Sequence, residues 1–186
     1  MSELDDILAE IEAGNIRGAA RDAWNPVNCG EIDIRIGADG SWYHEGRRFQ
    51  RDALVKLFAG VLRREKNEYF LVTPVEKLRI EVEDAPFVAG LVEVIEDRGR
   101  QAIVFTTNIG ERIVLDEAHP LRIETDADSG EPRPYIWLRD GLEALISRGA
   151  FFELANLAER CERDGRRSLC VTSLGKTFEL GSIEDE

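Results

Sequence analysis

Cationic side chains are scarce in this chain relative to anionic ones, and the imbalance excludes several classes of function. The sequence has 24 Lys and Arg against 37 Asp and Glu, which gives a net charge of −13 at pH 7. A nucleic-acid-binding protein needs a basic face to neutralise phosphates, and an anionic membrane repels an acidic protein. The composition therefore predicts a protein that binds neither nucleic acid nor membranes.

Long apolar runs and a disulfide-type cysteine pattern are also missing. No window approaches the ~18 consecutive apolar residues of a membrane span, and "MSELDDILAEIEA" at the N-terminus lacks the features of a signal peptide. The cysteines Cys29, Cys161 and Cys170 are odd in number and have no C-x-x-C spacing, which argues against a secreted disulfide framework. We therefore expect a cytoplasmic protein.

Motifs for catalysis and for cofactor binding are absent as well. His44 and His119 are the only histidines, and neither belongs to a local set with metal-ligand spacing. There is no "GxSxG" nucleophile elbow, and "GKT" at 175–177 lacks the earlier glycine and the following helix of a phosphate loop. We predict no catalytic residue, no metal and no cofactor.

Strand and helix patterns alternate along the chain. A short amphipathic helix is predicted near the N-terminus, where it is available for assembly, and a second helix is predicted to start at Asp52. "EYFLVT" and "KLRIEV" predict two strands joined at Pro74, and "GLVEVIE", "QAIVFTT" and "ERIVLD" predict an antiparallel meander. A third helix is predicted from Phe151 to Cys161.

Short matches within the sequence indicate an internal duplication. "FQRDALVKLF" at 49–58 aligns with "WLRDGLEALI" at 137–146, and "VTPVEK" at 72–77 aligns with "VTSLGK" at 171–176. "RIGADG" and "RIETDADSG" match upstream in the same order. We infer an α+β fold of two related halves, each strand–strand–helix–strand–strand with antiparallel sheets, the second enlarged by the meander. The predicted organisation is an N-terminal helix and linker, a first half and a second half, over residues 1–25, 26–85 and 86–186.

Three stretches resemble a known bacterial family, the domain-of-unknown-function family 1285. They are "DGSWYHEGRRFQRDALVKLF", "YFLVTPVEKLRIEVEDAPF" and "LRDGLEALISRGAFFEL", and the resemblance extends over roughly residues 29–181. It implies a duplicated α+β architecture whose C-terminal half is superficially similar to pleckstrin-homology folds. It also implies a site for a nucleotide-like ligand at the interface between the halves, and a role in signal transduction.

Polar residues of the repeated motifs are the candidate ligand-binding residues. They are Arg51, Thr73, Glu76, Lys77, Arg139, Thr172 and Lys176. Arg51 precedes a predicted helix, where an arginine and backbone N–H groups can hold an anion together. A structural interpretation stays open, in which Asp52 caps the helix and Arg51 pairs with a carboxylate such as Glu76.

These observations favour a non-enzymatic ligand-binding or regulatory module with a site for an anionic, nucleotide-like small molecule between its halves. The alternative is a protein–protein interaction adaptor that binds a partner through its pleckstrin-like half and assembles through the N-terminal helix. An enzyme of unknown type is the second alternative.

Overall fold

The computed structural model describes residues 23–163 and 165–183, and their backbone divides into two units. The units are Met1–Asp84 and Ala85–Glu186, and each contains a six-stranded sheet. The predicted N-terminal helix lies outside the described residues, so its role in assembly stays a prediction. Neither helix of the described residues combines the length and the hydropathy that a membrane crossing requires.

The first unit consists of two three-stranded meanders joined by a helix. Its elements are β1 (Asn28–Ile36), β2 (Trp42–His44), β3 (Arg47–Arg48), α1 (Asp52–Val61), β4 (Leu62–Glu65), β5 (Glu68–Val72) and β6 (Glu76–Val82). The sheet order is β3-β2-β1-β6-β5-β4, and neighbours are antiparallel except for the central pair of β1 and β6, which is parallel.

Apolar periodicity explains how this sheet and its helix pack. Ile32, Ile34 and Ile36 alternate along β1 and are all buried, so they form the inner face of the strand. Phe58 on α1 is fully buried, and its ring centroid lies 6.3 Å from that of Trp42 on β2. The core of the first unit therefore lies between α1 and this face of the sheet.

The described residues of the second unit form nine strands in two sheets and one helix. They are β7 (Phe87–Asp97), β8 (Arg100–Thr107), β9 (Arg112–Val114), β10 (Leu121–Thr125), β11 (Pro132–Arg139), β12 (Leu142–Ile146), α2 (Arg148–Asn156), β13 (Glu159–Arg163), β14 (Arg166–Ser173) and β15 (Lys176–Ser182). The larger sheet has the order β10-β11-β12-β7-β8-β9, and the smaller has the order β13-β14-β15. The predicted meander of three strands is confirmed as β7, β8 and β9.

The two six-stranded sheets share one topology. In each, the first strand of the first meander pairs in parallel with the last strand of the second meander, β1 with β6 and β7 with β12. The predicted α+β fold of two related halves is confirmed. The sheets are mixed rather than purely antiparallel, because this one parallel pair joins the meanders. The likeness of the second unit to pleckstrin-homology folds stays a prediction.

The structural correspondence between the units differs from the predicted sequence alignment. "FQRDALVKLF" contains the first seven residues of α1, which starts at Asp52 as predicted, but "WLRDGLEALI" spans the hairpin of β11 and β12. Asp140 and Gly141 form its two-residue turn with φ of 47° and 79°, the backbone that Asp-Gly favours between strands. "VTPVEK" and "VTSLGK" are both hairpin turns, but the second belongs to the small sheet.

The C-terminal helix and the cysteines also differ from expectation. The helix spans Arg148–Asn156 instead of 151–161, because the Ser147 hydroxyl caps it by accepting a hydrogen bond from the Ala150 N–H at 3.2 Å. The residues after 158 form β13, where Cys161 is joined by a disulfide to Cys170 of β14. The sequence argued against a secreted disulfide framework and did not anticipate this single disulfide, while Cys29 is free and exposed.

Candidate ligand site

Three of the predicted site residues lie at one hairpin, the connection between β5 and β6. The Thr73 side chain is buried, and its hydroxyl accepts hydrogen bonds from the N–H groups of Val75 and Glu76 at 3.3 and 3.1 Å. Pro74 follows Thr73 directly, at a position where the ladder needs no donor. The Thr73 side chain therefore stabilises this turn.

Lys77 follows on β6 and reaches across β5 to a carboxylate on β4. Its Nζ atom lies 2.7 Å from Oε2 of Glu65 and 4.7 Å from the centre of the Phe70 ring on β5. The cation is thus held by an ion pair and by an aromatic face. Because 19% of the Lys77 side chain is exposed, this pair is only partly screened by water.

The second unit contains a matching arrangement with the charges exchanged. Arg122 on β10 reaches across β11 to Glu143 on β12, with two hydrogen bonds of 2.8 Å. Its guanidinium carbon lies 4.3 Å from the centre of the Tyr135 ring on β11. The Glu143 hydrogen bonds raise the pKa of Arg122 above its usual range. The Arg122–Glu143 pair is therefore the counterpart of the Lys77–Glu65 pair. We call these two pairs the cross-strand clamps, because each connects two strands across the strand between them.

Arg51 lies at the start of α1, as predicted, and its side chain is exposed. Its carbonyl accepts hydrogen bonds from the N–H groups of Leu54 and Val55. Arg51 itself occupies the N-cap position and makes no side-chain cap, and Asp52 is the first helical residue. The alternative in which Asp52 caps the helix is therefore wrong.

The predicted residues of the second unit lie on three different strands. Nη1 of Arg139, at the end of β11, lies 2.8 Å from both carboxylate oxygens of Glu111. Thr172 is exposed on β14, and its carbonyl accepts a hydrogen bond of 2.9 Å from the Gln101 side chain. Lys176 begins β15, and its Nζ lies 2.9 Å from Glu117. Both cations are paired with carboxylates of their own unit.

A cavity of about 500 Å³ opens in the second unit where β12 ends and α2 begins. Its lining is mostly apolar with two arginines at the rim, and consists of Glu131, Pro132, Arg133, Pro134, Leu145, Ile146, Arg148, Phe151, Phe152 and Ala155. A concave, largely apolar surface with a few charged groups is the usual form of a small-molecule site.

Two prolines explain why a cavity forms beside β11. The Trp137 N–H donates to the Pro120 carbonyl at 3.1 Å, on the β10 side of the strand. Backbone groups alternate along a strand, so Pro132 and Pro134 face the β12 side, where neither has an N–H to donate. The ladder between β11 and β12 stops at the Tyr135 and Leu145 pair, and the space beyond it opens toward α2.

The two arginines of the cavity are held to different degrees. Arg133 is anchored, because its Nε donates to the Tyr135 hydroxyl at 3.1 Å and its Nη1 lies 3.3 Å from Asp126. The Arg148 side chain is 92% exposed, and its nearest carboxylate is Glu131 at 3.7 Å. Arg148 is therefore the cation best placed to meet an incoming anion.

Aromatic side chains form the other wall of the cavity. Phe151 and Phe152 are consecutive on α2, and Phe152 is 65% exposed while Phe151 is half-buried. Neighbouring residues on a helix point about 100° apart, so the helix cannot bury both rings against the same sheet. The adjacent phenylalanines, directly after "SRGA", were the sequence feature that could have indicated this site.

Two further cavities contain at least as many carboxylates as cations. One of about 450 Å³ in the first unit contains Arg79, which pairs with Glu31 and Glu68. Another of about 570 Å³ in the second unit contains Lys176 and Arg163 together with two glutamates. Because their cations already face carboxylates, these cavities offer an anionic ligand less than the cavity beside α2 does.

The histidine of the second unit, His119, lies in a turn beside a carboxylate. His119 Nδ1 lies 3.0 Å from Asp116 in a turn, and the Asp116 carboxylate also accepts from the backbone N–H of Ala118. Among the residues that the structure describes, no group of three metal-ligating side chains is assembled. Asp116 therefore stabilises a turn through these contacts, and its role is structural.

Comparison with known proteins places the chain in a class of duplicated mixed-sheet proteins and in one family. The family model "Domain of unknown function (DUF1285), N-terminal domain" matches residues 20–85, and "Protein of unknown function (DUF1285), C-terminal domain" matches residues 86–180. The chain belongs to the DUF1285 family, as the resemblance implied.

Two crystal structures of DUF1285 family proteins are similar to this chain. The protein from Silicibacter pomeroyi DSS-3 is 43% identical with a TM-score of 0.82, over 95% of both chains. The protein from Shewanella baltica OS155 is 29% identical with a TM-score of 0.53, over 66% of this chain and 90% of that chain. No curated protein matches this chain.

Proposed function

We propose that the protein is a non-enzymatic ligand-binding and regulatory module whose second unit binds an anionic, nucleotide-like small molecule beside α2. The observation that carries the proposal is the cavity with aromatic and proline walls and with Arg133 and Arg148 at its rim. A flat apolar group fits against Phe152, and a phosphate or carboxylate then meets Arg148.

The position of Arg148 strengthens the case for an anion. Arg148 is the first residue of α2, so its side chain adds to the positive end of the helix dipole. The one carboxylate that lines the cavity, Glu131, lies 3.7 Å from Arg148 and can be displaced by a ligand anion. This local positive charge opposes the overall charge of −13.

Thermal unfolding of the full chain tests the proposal with adenosine mono-, di- and triphosphate and cyclic nucleotides as probes. A ligand at 100 times its Kd adds ~2.7 kcal/mol of stability, which raises the Tm by about 5–10 °C for a chain of this size. Adenosine alone and inorganic phosphate alone form separate arms, since they show which part of the ligand is recognised.

Variants distinguish this cavity from the site predicted from the sequence. Arg148→Ala and Phe152→Ala remove the ligand-induced shift, while Arg166→Ala, which changes an exposed arginine outside the cavity lining, retains it. Loss of the shift in Arg51→Ala and Lys77→Ala, with Arg148→Ala unaffected, would instead favour the predicted set. No shift for any probe overturns the proposal.

The wider setting that we propose is the cytoplasm and signal transduction, where ligand binding changes the affinity for a protein partner. The support is the family resemblance together with the acidic composition. Fractionation of cells that express the tagged full chain tests the location, and recovery in the membrane or periplasmic fraction would contradict it.

A further inference from the structure

The last seven residues of β7, numbers 91–97, form an open strand edge. In the first unit β6 pairs with β1 from Asn28 to Ile36, but in the second unit β12 pairs with β7 only from Phe87 to Ala89. The Ser147 N–H then donates to the Ala89 carbonyl, and the chain turns into α2. Within the described residues, β8 is the only strand that pairs with 91–97.

The hairpin geometry shows which backbone groups this edge presents. Arg98 and Gly99 form a two-residue turn with φ of 50° and 77°, so the flanking pair of Asp97 and Arg100 exchanges backbone hydrogen bonds. Bonded residues alternate along an antiparallel pair without a bulge. The N–H and C=O groups of Val92, Val94 and Glu96 therefore point away from β8.

This edge lacks proline and lysine, the residue types that most often protect exposed strands, although it carries the acidic residues Glu93, Glu96 and Asp97. Edge strands usually carry proline or lysine, which prevent pairing with another chain. β11, the other strand that β12 leaves uncovered, has Pro132 and Pro134 on that side. Residues 91–97 contain neither proline nor a cation, and Leu91, Val94 and Ile95 are 64, 46 and 40% exposed.

We propose that a second copy of this chain binds here, by antiparallel pairing of β7 with β7 about a twofold axis at Val94. This register places Val94 opposite Val94 of the partner subunit, and Val92 opposite Glu96 of the partner subunit. All the residues whose backbone groups point outward are then paired, with about six hydrogen bonds across the interface. In this register Val94 meets its own copy, and every other pair sets an acidic residue opposite an apolar one.

Other registers are disfavoured by charge, by the number of hydrogen bonds or by space. An axis at Glu96 or at Glu93 puts two carboxylates directly opposite each other, which is destabilising. An axis at Ile95 places Val92 opposite the hairpin turn at Arg98 of the partner subunit, so about four hydrogen bonds form instead of about six. An axis at Val92 brings the partner strand onto residues 87–89, where β12 is already paired. In the Val94 register, Glu93 lies opposite an isoleucine and keeps its pairing with Arg112 at 3.1 Å.

Cysteine cross-linking tests both the interface and its register in the full chain, with Cys29→Ser in every variant to remove the free thiol. In the proposed register the Cα atoms of residue 94 in the two copies are about 5.5 Å apart, which a disulfide spans. Val94→Cys then forms a covalent dimer on mild oxidation. Ile95→Cys is the matched control, because residue 95 lies about 7–8 Å from its own copy along the diagonal.

The expected result is about tenfold more covalent dimer for Val94→Cys than for Ile95→Cys. Equal yields, or a higher yield for Ile95→Cys, overturn the register. Light scattering across about 1 μM to 1 mM protein provides the second measurement, since Kd values in this range are resolved by it. Val94→Lys places two ammonium groups at the axis and shifts the dimer to monomer, whereas Leu169→Lys, the same change at an exposed position on β14, does not. A monomer at every concentration overturns the proposal.

Discussion

The first and second units build the same six-stranded sheet and differ in where their helix is inserted. α1 lies between the two meanders and contributes the fully buried Phe58 to the core. α2 follows the last strand of the second meander and leaves Phe152 65% exposed. The first helix therefore completes the core of its unit, whereas the second leaves an aromatic side chain exposed beside the cavity.

The two units also differ in the length of the parallel strand pair at the centre of their six-stranded sheets. β6 has seven residues and pairs along β1, whereas β12 has five and pairs with only three residues of β7. The early end of β12 leaves space for the cavity on the β11 side and an open edge on the β7 side. Both proposed binding sites thus lie where the second unit departs from the duplicated pattern.

The largest expected difference in stability is between phenylalanine substitutions on the two helices. We expect Phe58→Ala to lower the free energy of unfolding by about 3–5 kcal/mol, because it removes a buried ring that packs against Trp42 and Phe49. Phe152→Ala should change it by less than about 0.5 kcal/mol, since most of that ring is in water. Denaturant unfolding followed by circular dichroism measures both, and equal losses would contradict the contrast.

Substitutions in the two cross-strand clamps should differ less in their effect on stability than the two phenylalanine substitutions do. Arg122→Ala removes two hydrogen bonds from the carboxylate of Glu143, whose side chain is only 11% exposed, and we expect a loss of about 2–4 kcal/mol in unfolding free energy. Lys77→Ala leaves Glu65, whose side chain is 40% exposed and can be hydrated, so the expected loss is about 1 kcal/mol. Denaturant melts of both variants measure the difference.

A double variant separates the clamp from general packing. Replacing Arg122 with Met and Glu143 with Leu in one chain removes both charges together, so the loss should be smaller than for Arg122→Ala. A loss in the double variant as large as in the single one would show that the charges are not the cause.

The equivalent hairpin turns of the two units are stabilised in different ways. Thr73→Val removes the acceptor for two backbone N–H groups between β5 and β6, and we expect a loss of about 1–2 kcal/mol. At the turn between β11 and β12, Gly141 has a φ of 79°, and Gly141→Ala should cost about 1–2 kcal/mol through backbone strain. Thermal denaturation of both variants, with Thr73→Ser as the conservative control, tests this equivalence.

The smallest expected effect is a pH dependence that differs between two hairpin aspartates. The Ser129 backbone N–H, its hydroxyl and other donors lower the pKa of Asp126 to about 2, below its usual 3.8. The Ser41 N–H and hydroxyl lower the pKa of Asp39 in the turn between β1 and β2. A lowered folded-state pKa favours the ionised form, so the stabilisation is complete above the usual pKa and is lost as the pH falls toward 2.

We therefore expect Asp126→Asn to flatten the fall in stability between about pH 5 and pH 2 more than Asp39→Asn does. Urea unfolding at a series of pH values measures both slopes. If the stability of Asp126→Asn falls with decreasing pH as steeply as that of the wild type, the ionisation of this carboxylate is not linked to folding.

Much of the fold was predictable because its strands and α1 follow simple periodicities. The alternation of Ile32, Ile34 and Ile36 and the turn at Pro74 were sufficient to predict β1, β5 and β6. The predicted sequence alignment of the two halves was misplaced because it matched similar residues that have different backbone conformations. "LRRE" at 62–65 and "LRIE" at 121–124 occupy equivalent strands β4 and β10, and they carry the arginines opposite Phe70 and Tyr135.

The candidate site was less predictable, because it depends on where a strand stops. The repeated Arg and Lys residues were conspicuous in sequence, yet Lys77, Arg139 and Lys176 are paired with glutamates from other parts of the chain. Such pairs join residues far apart in sequence, so local motifs do not show them. Arg148 and Phe152 gain their significance from the early end of β12, which no composition or spacing indicates.

The parallel pair at the centre of each sheet has a consequence for folding kinetics. Each meander consists of hairpins between neighbouring segments, which close small loops and form fast. The parallel pair connects residues far apart in the chain and must form after that larger loop has closed. In the second unit only three residues of β7 are paired with β12 to stabilise this step. We therefore expect its sheet to assemble with a later, more native-like transition state than the sheet of the first unit.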